Sequence, residues 1–254
     1  MSLLLWREDR TYLATQGDRI ESDLGVLDVP DGCAPGDTIE THLGNRFLVL
    51  EPRPTDLFAQ LERTGAPMLP RDIGLIVGLA GITAGDRVLD VGTGTGILAV
   101  TLGRLGVSVT TFERDSHAAD VARANVERAG VSDAVEVRTD DATTAPIEGP
   151  FDAITLDTGD AVSIVERVPN LLVPGGVVAA YSPFVEDARA IVETLRSIDL
   201  EPTTYEPFYR EMAFDSRGSR PTTAPVGHTG YLTTARFLPI DHEHASAGTE
   251  GTNG

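Results

Sequence analysis

The stretch Val88 to Val100, VLDVGTGTGILAV, constrains the fold of this chain more than any other. An apolar run of strand composition carries one acid, Asp90. Gly92, Gly94 and Gly96 follow at alternate positions, and a second apolar run begins. Glycine loses more conformational freedom on folding than any other residue, so this spacing marks a place that needs bare backbone. Strand, glycine turn and helix in that order open a βαβ unit. The glycines then let a ligand touch the main chain, and the helix opening at Thr95, Gly96, Ile97 and Leu98 offers it N–H groups.

The rest of the chain agrees with that unit. From about Pro70 the pattern alternates: a helix over 72–80, a strand over 87–91, a helix over 95–105 and a strand over 107–112. A helix over 115–129 follows, with Ala118, Val121, Ala122 and Asn125 at helical spacing. Next come strands over 134–138 and 151–156, a helix over 161–167, a turn at LVPGG, a strand over 177–181 and a helix over 186–197. Two late strands are expected near 203–209 and 230–237. This order predicts an α/β chain with a seven-stranded, doubly wound, mostly parallel sheet. Before it, five short strand-like segments are cut by QGD, PDG, PGD and LGN, which predicts a small β-barrel-like module. TDLFAQLER then reads as a short helix with Thr55 as N-cap. The division is a β module over 1–54, a linker helix and turn over 55–71, a cofactor-binding catalytic domain over 72–238, and a polar tail over 239–254 expected to be disordered.

In an open α/β sheet, ligands bind outside the carboxyl ends of the strands. Acids stand at those ends: Glu113, 21 residues after Gly92, then Asp140 and Asp141, then Asp157 in LDTGD. An acid about twenty residues past the first glycine suits ribose hydroxyls. Asp140 or Asp141 suits an adenine amino group. The spacing is G-x-G-x-G rather than the dinucleotide G-x-G-x-x-G, and a helix precedes the first strand. Acids at successive strand ends fit a ligand with a sulfonium and an amino group better than a pyrophosphate. The cofactor expected is S-adenosyl-L-methionine.

Charge complicates the choice of partner. There are 39 acids against 20 bases, a net charge of −19, and every base is arginine. Such a balance ordinarily argues against nucleic acid. A lysine-free acidic surface is also what adaptation to molar salt produces, where the Debye length shrinks to ~3 Å and net repulsion is screened. The halophilic reading is preferred, and under it RNA stays admissible. The single Cys33 excludes an intramolecular disulfide. No apolar run nears the ~18 residues a spanning helix needs, and no signal-type N-terminus is present, so a soluble cytoplasmic protein without membrane association is expected. His242 and His244 flank Glu243 in the tail; they read as solvated, and no metal site is expected.

Glycine turn and acids together resemble the class I S-adenosylmethionine-dependent methyltransferases, with their Rossmann-like sheet. Three further segments are similar to the tRNA (adenine-58-N1)-methyltransferases: Thr41 to Asp72 with its THLG turn and closing Pro70-Arg71-Asp72, FYREM at Phe208 to Met212 read as a strand, and GHTGYLTTAR at Gly227 to Arg236. The resemblance covers nearly the whole chain up to Leu238 and implies a homotetramer that methylates N1 of a T-loop adenine in tRNA, at position 58 and also 57; together with the lysine-free acidic composition it suggests a haloarchaeal source. It implies that Asp157 is the catalytic aspartate, holding the exocyclic amine and offsetting the charge that develops on the base. The chain departs from the family pattern at Leu69, where a Tyr is common, at Asp157-Thr158-Gly159-Asp160, where a Pro-Trp segment is common, and at Ala118, where a base or His is common.

RNA contacts fall to arginines, with Arg63, Arg71, Arg210, Arg217, Arg220 and Arg236 as candidates, each of which can equally serve as a solvated partner of an acid. His228 either faces the active site or caps the Gly227–Gly230 turn. The substrate-binding set is Arg210, Arg220 and His228. Two other functions compete: an enzyme resembling protein L-isoaspartate O-methyltransferase, and a non-catalytic RNA-binding paralogue.

Overall fold

The computed structural model of the chain describes residues 2–8, 10–222 and 227–239. The expected tail, Pro239 excepted, lies outside the described residues, and His242 and His244 lie there with it.

The first fifty residues form β1 (Leu3–Arg7), β2 (Arg10–Ala14), β3 (Arg19–Ser22), β4 (Gly25–Asp28), β5 (Thr38–Glu40) and β6 (Arg46–Leu50). Four of them make an open antiparallel sheet in the order β2-β1-β6-β5, and β3 pairs only with β4. The expected barrel is thus an open sheet with a separate hairpin. Alternation along β6 turns Phe47 and Val49 inward onto Leu3, Leu5 and Leu27. The THLG turn clamps the hairpin to this sheet. The Val26 N–H donates to His42 Nδ1 at 2.8 Å, the His42 N–H donates to the Val26 carbonyl at 2.9 Å, and Thr41 Oγ1 and Asn45 Nδ2 both donate to the Leu24 carbonyl. Its conformation therefore has a structural cause.

Helix α1 (Pro54–Gln60) starts one residue before the expected cap. Pro54 takes the first helical position, where no N–H is missed, and the Arg53 N–H donates to the Asp56 carboxylate at 2.8 Å. Thr55 lies inside the helix. There follow α2 (Pro70–Ala80), β7 (Arg87–Val91), α3 (Ile97–Arg104), β8 (Ser108–Phe112), α4 (Ser116–Arg128), β9 (Val135–Arg138), β10 (Phe151–Leu156), α5 (Ala161–Val165), α6 (Val168–Leu171), β11 (Leu172–Ser182), α7 (Val185–Ser197), β12 (Thr203–Tyr205), β13 (Met212–Asp215), β14 (Gly218–Pro221) and β15 (Tyr231–Arg236).

Seven of these strands form one sheet in the order β12-β15-β11-β10-β7-β8-β9. The ladders from β11 through β10, β7 and β8 to β9 are parallel; β15 runs antiparallel to both neighbours. Helices α1 to α4 pack their apolar sides on one face, with Leu57, Ile76, Leu102 and Val126 among the buried residues. Helices α5 to α7 cover the other with Ile164, Leu171 and Leu195. Leu13 of β2 belongs to the first of these clusters, and Gln60 reaches Thr11 while Arg128 reaches the Leu13 carbonyl, so the N-terminal sheet is docked on that face.

Four local expectations are corrected. LVPGG is no turn: it lies inside β11 as a bulge, where the register jumps from Phe151↔Leu172 to Ala153↔Val177. The helix over 161–167 is two short ones, α5 and α6. FYREM is irregular apart from Met212, which opens the β13–β14 hairpin, and the G-H-T-G run precedes β15 rather than starting it. Strand β3 and the β13–β14 hairpin were not anticipated, since each of these strands is only four residues long.

Candidate active site

Strands β7, β8, β9 and β10 all end at one edge, and the expected acids gather there. A cleft of about 180 Å³ is lined by Gly92, Glu113, Asp140, Asp141 and Asp157. Arg114 and Asp160 pair across its rim at 2.8 Å.

The three glycines have three different causes. Gly92 sits at φ +95°, and a Cβ there would lie 2.1 Å from the Asp157 carbonyl oxygen. What approaches its backbone is the end of β10. Gly96, at φ +77°, caps α3 and faces Ala122 of α4, whose Cβ would be 3.3 Å from an added methyl. Only Gly94, at φ +51°, faces open space, with nothing within 4 Å. Its N–H donates to Glu113 Oε2 at 2.9 Å, and Glu113 Oε1 accepts from the Asp115 N–H at 3.0 Å. Helix α3 begins at Ile97, two residues later than expected; Ile97 and Leu98 are buried in the core, so only their main chain can meet a ligand. Thr95 is buried, and its carbonyl accepts from Asn125 Nδ2 at 2.8 Å.

Asp140 and Asp141 are exposed on the cleft. The Thr143 hydroxyl and N–H hold the Asp141 carboxyl below its usual range. Asp157 has solvent beside it in the cleft but protein on most other sides, and that burial pushes its pKa up to about 6. It lines a second cavity as well, of about 300 Å³, with Tyr181, Ser182 and Phe184. One carboxyl thus serves two neighbouring cavities.

Sequence reasoning passed over the group beneath the loop. Asp90 is fully buried, and its register partners on the flanking strands are Thr111 and Thr155. Thr111 Oγ1 donates to Asp90 Oδ2 and Thr155 Oγ1 to Oδ1, both at 2.7 Å. The Thr111 hydroxyl has spent its proton, so Thr93 donates to it across 2.6 Å. Burial, with Asp157 and Glu113 nearby, pushes Asp90 up to about 6 despite those two hydrogen bonds. Tyr181 was also missed. The rule about strand ends reaches it once applied to β11.

The basic candidates scatter. Arg217 and Arg220 share the Asp215 carboxylate, which they hold well below its usual range. Arg210 lies over the Phe208 ring and Arg63 over Phe58, while Arg236 donates to the Gly175 carbonyl. Arg71 donates to Thr229 Oγ1 and faces the Tyr209 ring. His228 bonds through Nδ1 to Glu206 and through Nε2 to the Pro183 carbonyl, which raises its pKa, and its ring packs against Tyr231 at a tilt of 55°. Among the described residues there is no group of side chains able to hold a metal, and no helix is long and apolar enough to cross a membrane.

Comparison with known proteins fits this geometry. Residues 47–213 match the family described as tRNA methyltransferase complex GCD14 subunit. The chain is 31% identical over 275 aligned positions to the tRNA (adenine(57)-N(1)/adenine(58)-N(1))-methyltransferase TrmI of Methanocaldococcus jannaschii, covering 95% of this chain and 97% of that one. It is 40% identical to the protein-L-isoaspartate O-methyltransferase of Methanoculleus marisnigri, but over 39% of this chain and 44% of that one. Two solved structures share the fold nearly end to end: a SAM-dependent O-methyltransferase from Thermotoga maritima (TM-score 0.79, 24% identity, 95% of this chain and 94% of the other) and the tRNA (m1A58) methyltransferase TrmI of Aquifex aeolicus (0.74, 24%, 94% and 98%). With a family match over more than half its length and a relative aligned almost from end to end, the chain belongs to the tRNA methyltransferase complex GCD14 subunit family.

Proposed function

We propose that this protein is an S-adenosylmethionine-dependent methyltransferase that methylates N1 of adenine at position 58 of tRNA, and at the neighbouring position 57. The observation that carries the reading is the placement of Asp157 between the Glu113–Asp140 cleft and the Tyr181 cavity.

The residues present fit the cofactor. Gly94 leaves room that a methyl would fill, Glu113 is fixed beside it to accept from ribose hydroxyls, and the acids around the cleft suit a cation. Gly92, Gly94, Thr95, Gly96, Ile97, Leu98, Glu113, Asp140, Asp141 and Asp157 are assigned to its binding, the loop residues through their main chain. When bound it supplies an electrophilic methyl group. The rest falls to this chain. Asp157 accepts from the exocyclic amine, which turns N1 toward the cleft, and its charge offsets the charge the base acquires. Positioning and electrostatics do the work. The adenine leaves its stack to enter.

Arg210, Arg220 and His228 are proposed to meet the RNA, Arg220 by exchanging Asp215 for phosphate. Exposed Phe208, Tyr209, Met212 and Phe214 around the β13–β14 hairpin support a homo-oligomer, taken as a tetramer; light scattering on the eluted peak tests it. The acidic lysine-free composition supports a salt-adapted protein, and a tRNA substrate supports a cytoplasmic one.

The deciding assay mixes protein at molar salt with labelled S-adenosylmethionine, unmodified tRNA and an isoaspartyl peptide and then maps the label. Label on T-loop N1-methyladenine is expected. Label on an isoaspartyl peptide instead, or cofactor binding without transfer, overturns the reading. Asp157→Ala is expected to abolish transfer while weakening cofactor binding only modestly, because Glu113, Asp140, Asp141 and the loop main chain remain; unchanged turnover would remove Asp157 from the mechanism.

A further inference from the structure

Strand β15 starts between the ends of β11 and β12. It runs antiparallel to both, with Tyr231 opposite Ser182 and Leu232 opposite Tyr205. The segment leading into β15 is therefore laid beside the residues just past those two ends. His228 of that segment bonds to both. Its Nδ1 is 2.9 Å from Glu206 Oε1, and its Nε2 is 3.2 Å from the Pro183 carbonyl oxygen. Pro183 and Phe184 line the same cavity as Asp157, and Phe184 caps α7.

Neither partner has a proton to give. A carbonyl and a carboxylate only accept, whereas a neutral imidazole carries one N–H and one lone pair. A neutral ring would turn its lone pair toward one of the two oxygens. The imidazolium alone donates to both. These bonds, to the Pro183 carbonyl and to Glu206, raise the pKa of His228 above its ordinary 6.5. Other ionisable groups come in from each neighbouring element. Tyr231 of β15 packs on the ring at 4.9 Å, Tyr181 of β11 lies against Gly230, Arg71 and Asp72 of α2 reach Thr229, and Glu186 and Asp187 open α7. Among the described residues, the charge that bears on His228 is that of Glu206.

We infer that His228 is a positioning residue, which as an imidazolium clasps the ends of β11 and β12 and so fixes the Pro183–Phe184 wall of the Asp157 cavity. The inference rests on the tRNA reading above and adds a pH window to it. Asp157 must be ionised to accept from the base, while His228 must be protonated to hold the wall. A raised folded pKa means that the clasp is complete below 6.5 and lost as pH rises through the raised value. With both nitrogens engaged, His228 meets RNA through its charge alone. The two side chains are 43% and 55% exposed, and such a pair adds little to global stability. The effect is therefore local, read in kcat/KM and not in Tm.

The first arm of the test needs no tRNA. Histidine-selective labelling leaves five rings to assign by NMR, and the His228 ring is the one lost in His228→Gln. It is expected to carry both protons at about pH 6, to titrate above 6.5, and to titrate lower in Glu206→Gln. The Phe184 amide is expected to shift with the same midpoint in wild type and to stay still in His228→Gln. A neutral ring at about pH 6, a midpoint indifferent to Glu206→Gln, or a Phe184 amide blind to His228 overturns the inference. The second arm follows kcat/KM for tRNA from about pH 5 to about pH 9, with cofactor Kd and Tm as controls. Wild type is expected to fall about threefold on the alkaline side, at the His228 midpoint. His228→Gln is expected to show the low level with no such fall, and His228→Arg the high level with none. An alkaline fall that persists in His228→Gln, or a wild-type enzyme without one, overturns the positioning role while leaving tRNA methylation standing. A wild-type protein that never methylates tRNA sinks the adenine reading, and the NMR arm still decides whether His228 holds the wall.

Discussion

Gly92→Ala and Gly94→Ala separate the two demands that a glycine loop can meet. At Gly92 the methyl would overlap the Asp157 carbonyl at 2.1 Å, so β10 must move away from β7 or the chain must stay unfolded. A cost above about 3 kcal/mol is expected, read as lost soluble yield or a collapsed melting temperature. At Gly94 nothing is near and φ is +51°, so the left-handed conformation alone costs about 1–2 kcal/mol. That variant is expected to fold and to bind S-adenosylmethionine at least tenfold more weakly by calorimetry; wild-type affinity would mean that no ligand approaches there. Asp90 gives a prediction of opposite sign. Its folded pKa of about 6 lies above the ordinary 3.8, so the folded state holds its proton more tightly. Stability is then lost as pH rises from about 4 to about 6, by up to about 3 kcal/mol. Asp90→Asn removes that loss. The amide can donate to Thr155, whose hydroxyl turns to the Leu89 carbonyl 3.5 Å away, while its oxygen still accepts from Thr111. Urea unfolding at pH 4 to 8 is expected to show a more stable, flatter variant. A variant less stable at pH 8 would show that the carboxylate's hydrogen bonds outweigh its burial.

Between elements, Asn125 joins what the sequence kept apart. It reads in sequence only as one more position on the inner side of α4. Its buried amide accepts from the Glu62 N–H at 3.1 Å and donates to the Glu62 carbonyl at 2.9 Å and to the Thr95 carbonyl. One side chain thus ties the linker after α1 to the glycine loop. Asn125→Leu fills similar volume and strands three backbone groups. A loss of about 2–4 kcal/mol is expected in thermal unfolding, with weaker cofactor binding, because Thr95 is released. Unchanged affinity would show the loop to be set by α3 alone. Long elements with strong patterns were legible: β10 was placed to the residue, and α4 and α7 to within one or two. Acids at strand ends were legible because topology alone delivers them to one edge. The Asp90 network and the β11 bulge were not. Each depends on register between strands distant in sequence, and no local periodicity reports register. FYREM failed as a strand for a related reason. Its aromatics face Arg71 and Arg210 instead of a sheet neighbour.

For the molecule as a whole, charge is the property that most separates it from an ordinary RNA-binding enzyme. Thirty-nine acids face twenty arginines, and many of those arginines already pair with acids of the same chain. Exposed pairs of this kind add little stability singly, and they do not relieve a net of −19. At 0.1 M salt the Debye length is about 10 Å, so the excess carboxylates repel one another and repel tRNA; at 1 M it is about 3 Å and only contacts count. The melting temperature is therefore expected to climb between 0.1 M and 2 M KCl. Binding to tRNA carries two opposed terms. Counterions released by arginine–phosphate contacts make affinity fall with salt, while screening of the net repulsion makes it rise. The second term is strongest where salt is lowest. Affinity for tRNA, followed by fluorescence anisotropy, is expected to rise or stay level over the first few tenths molar and to fall only gently above it. A steep linear fall of a thousandfold across the same range would mean that a concentrated basic patch dominates the encounter. In that case Arg210→Ala, whose guanidinium lies over Phe208, and Arg220→Ala, whose guanidinium is bound to Asp215, would each flatten the salt slope by about one unit.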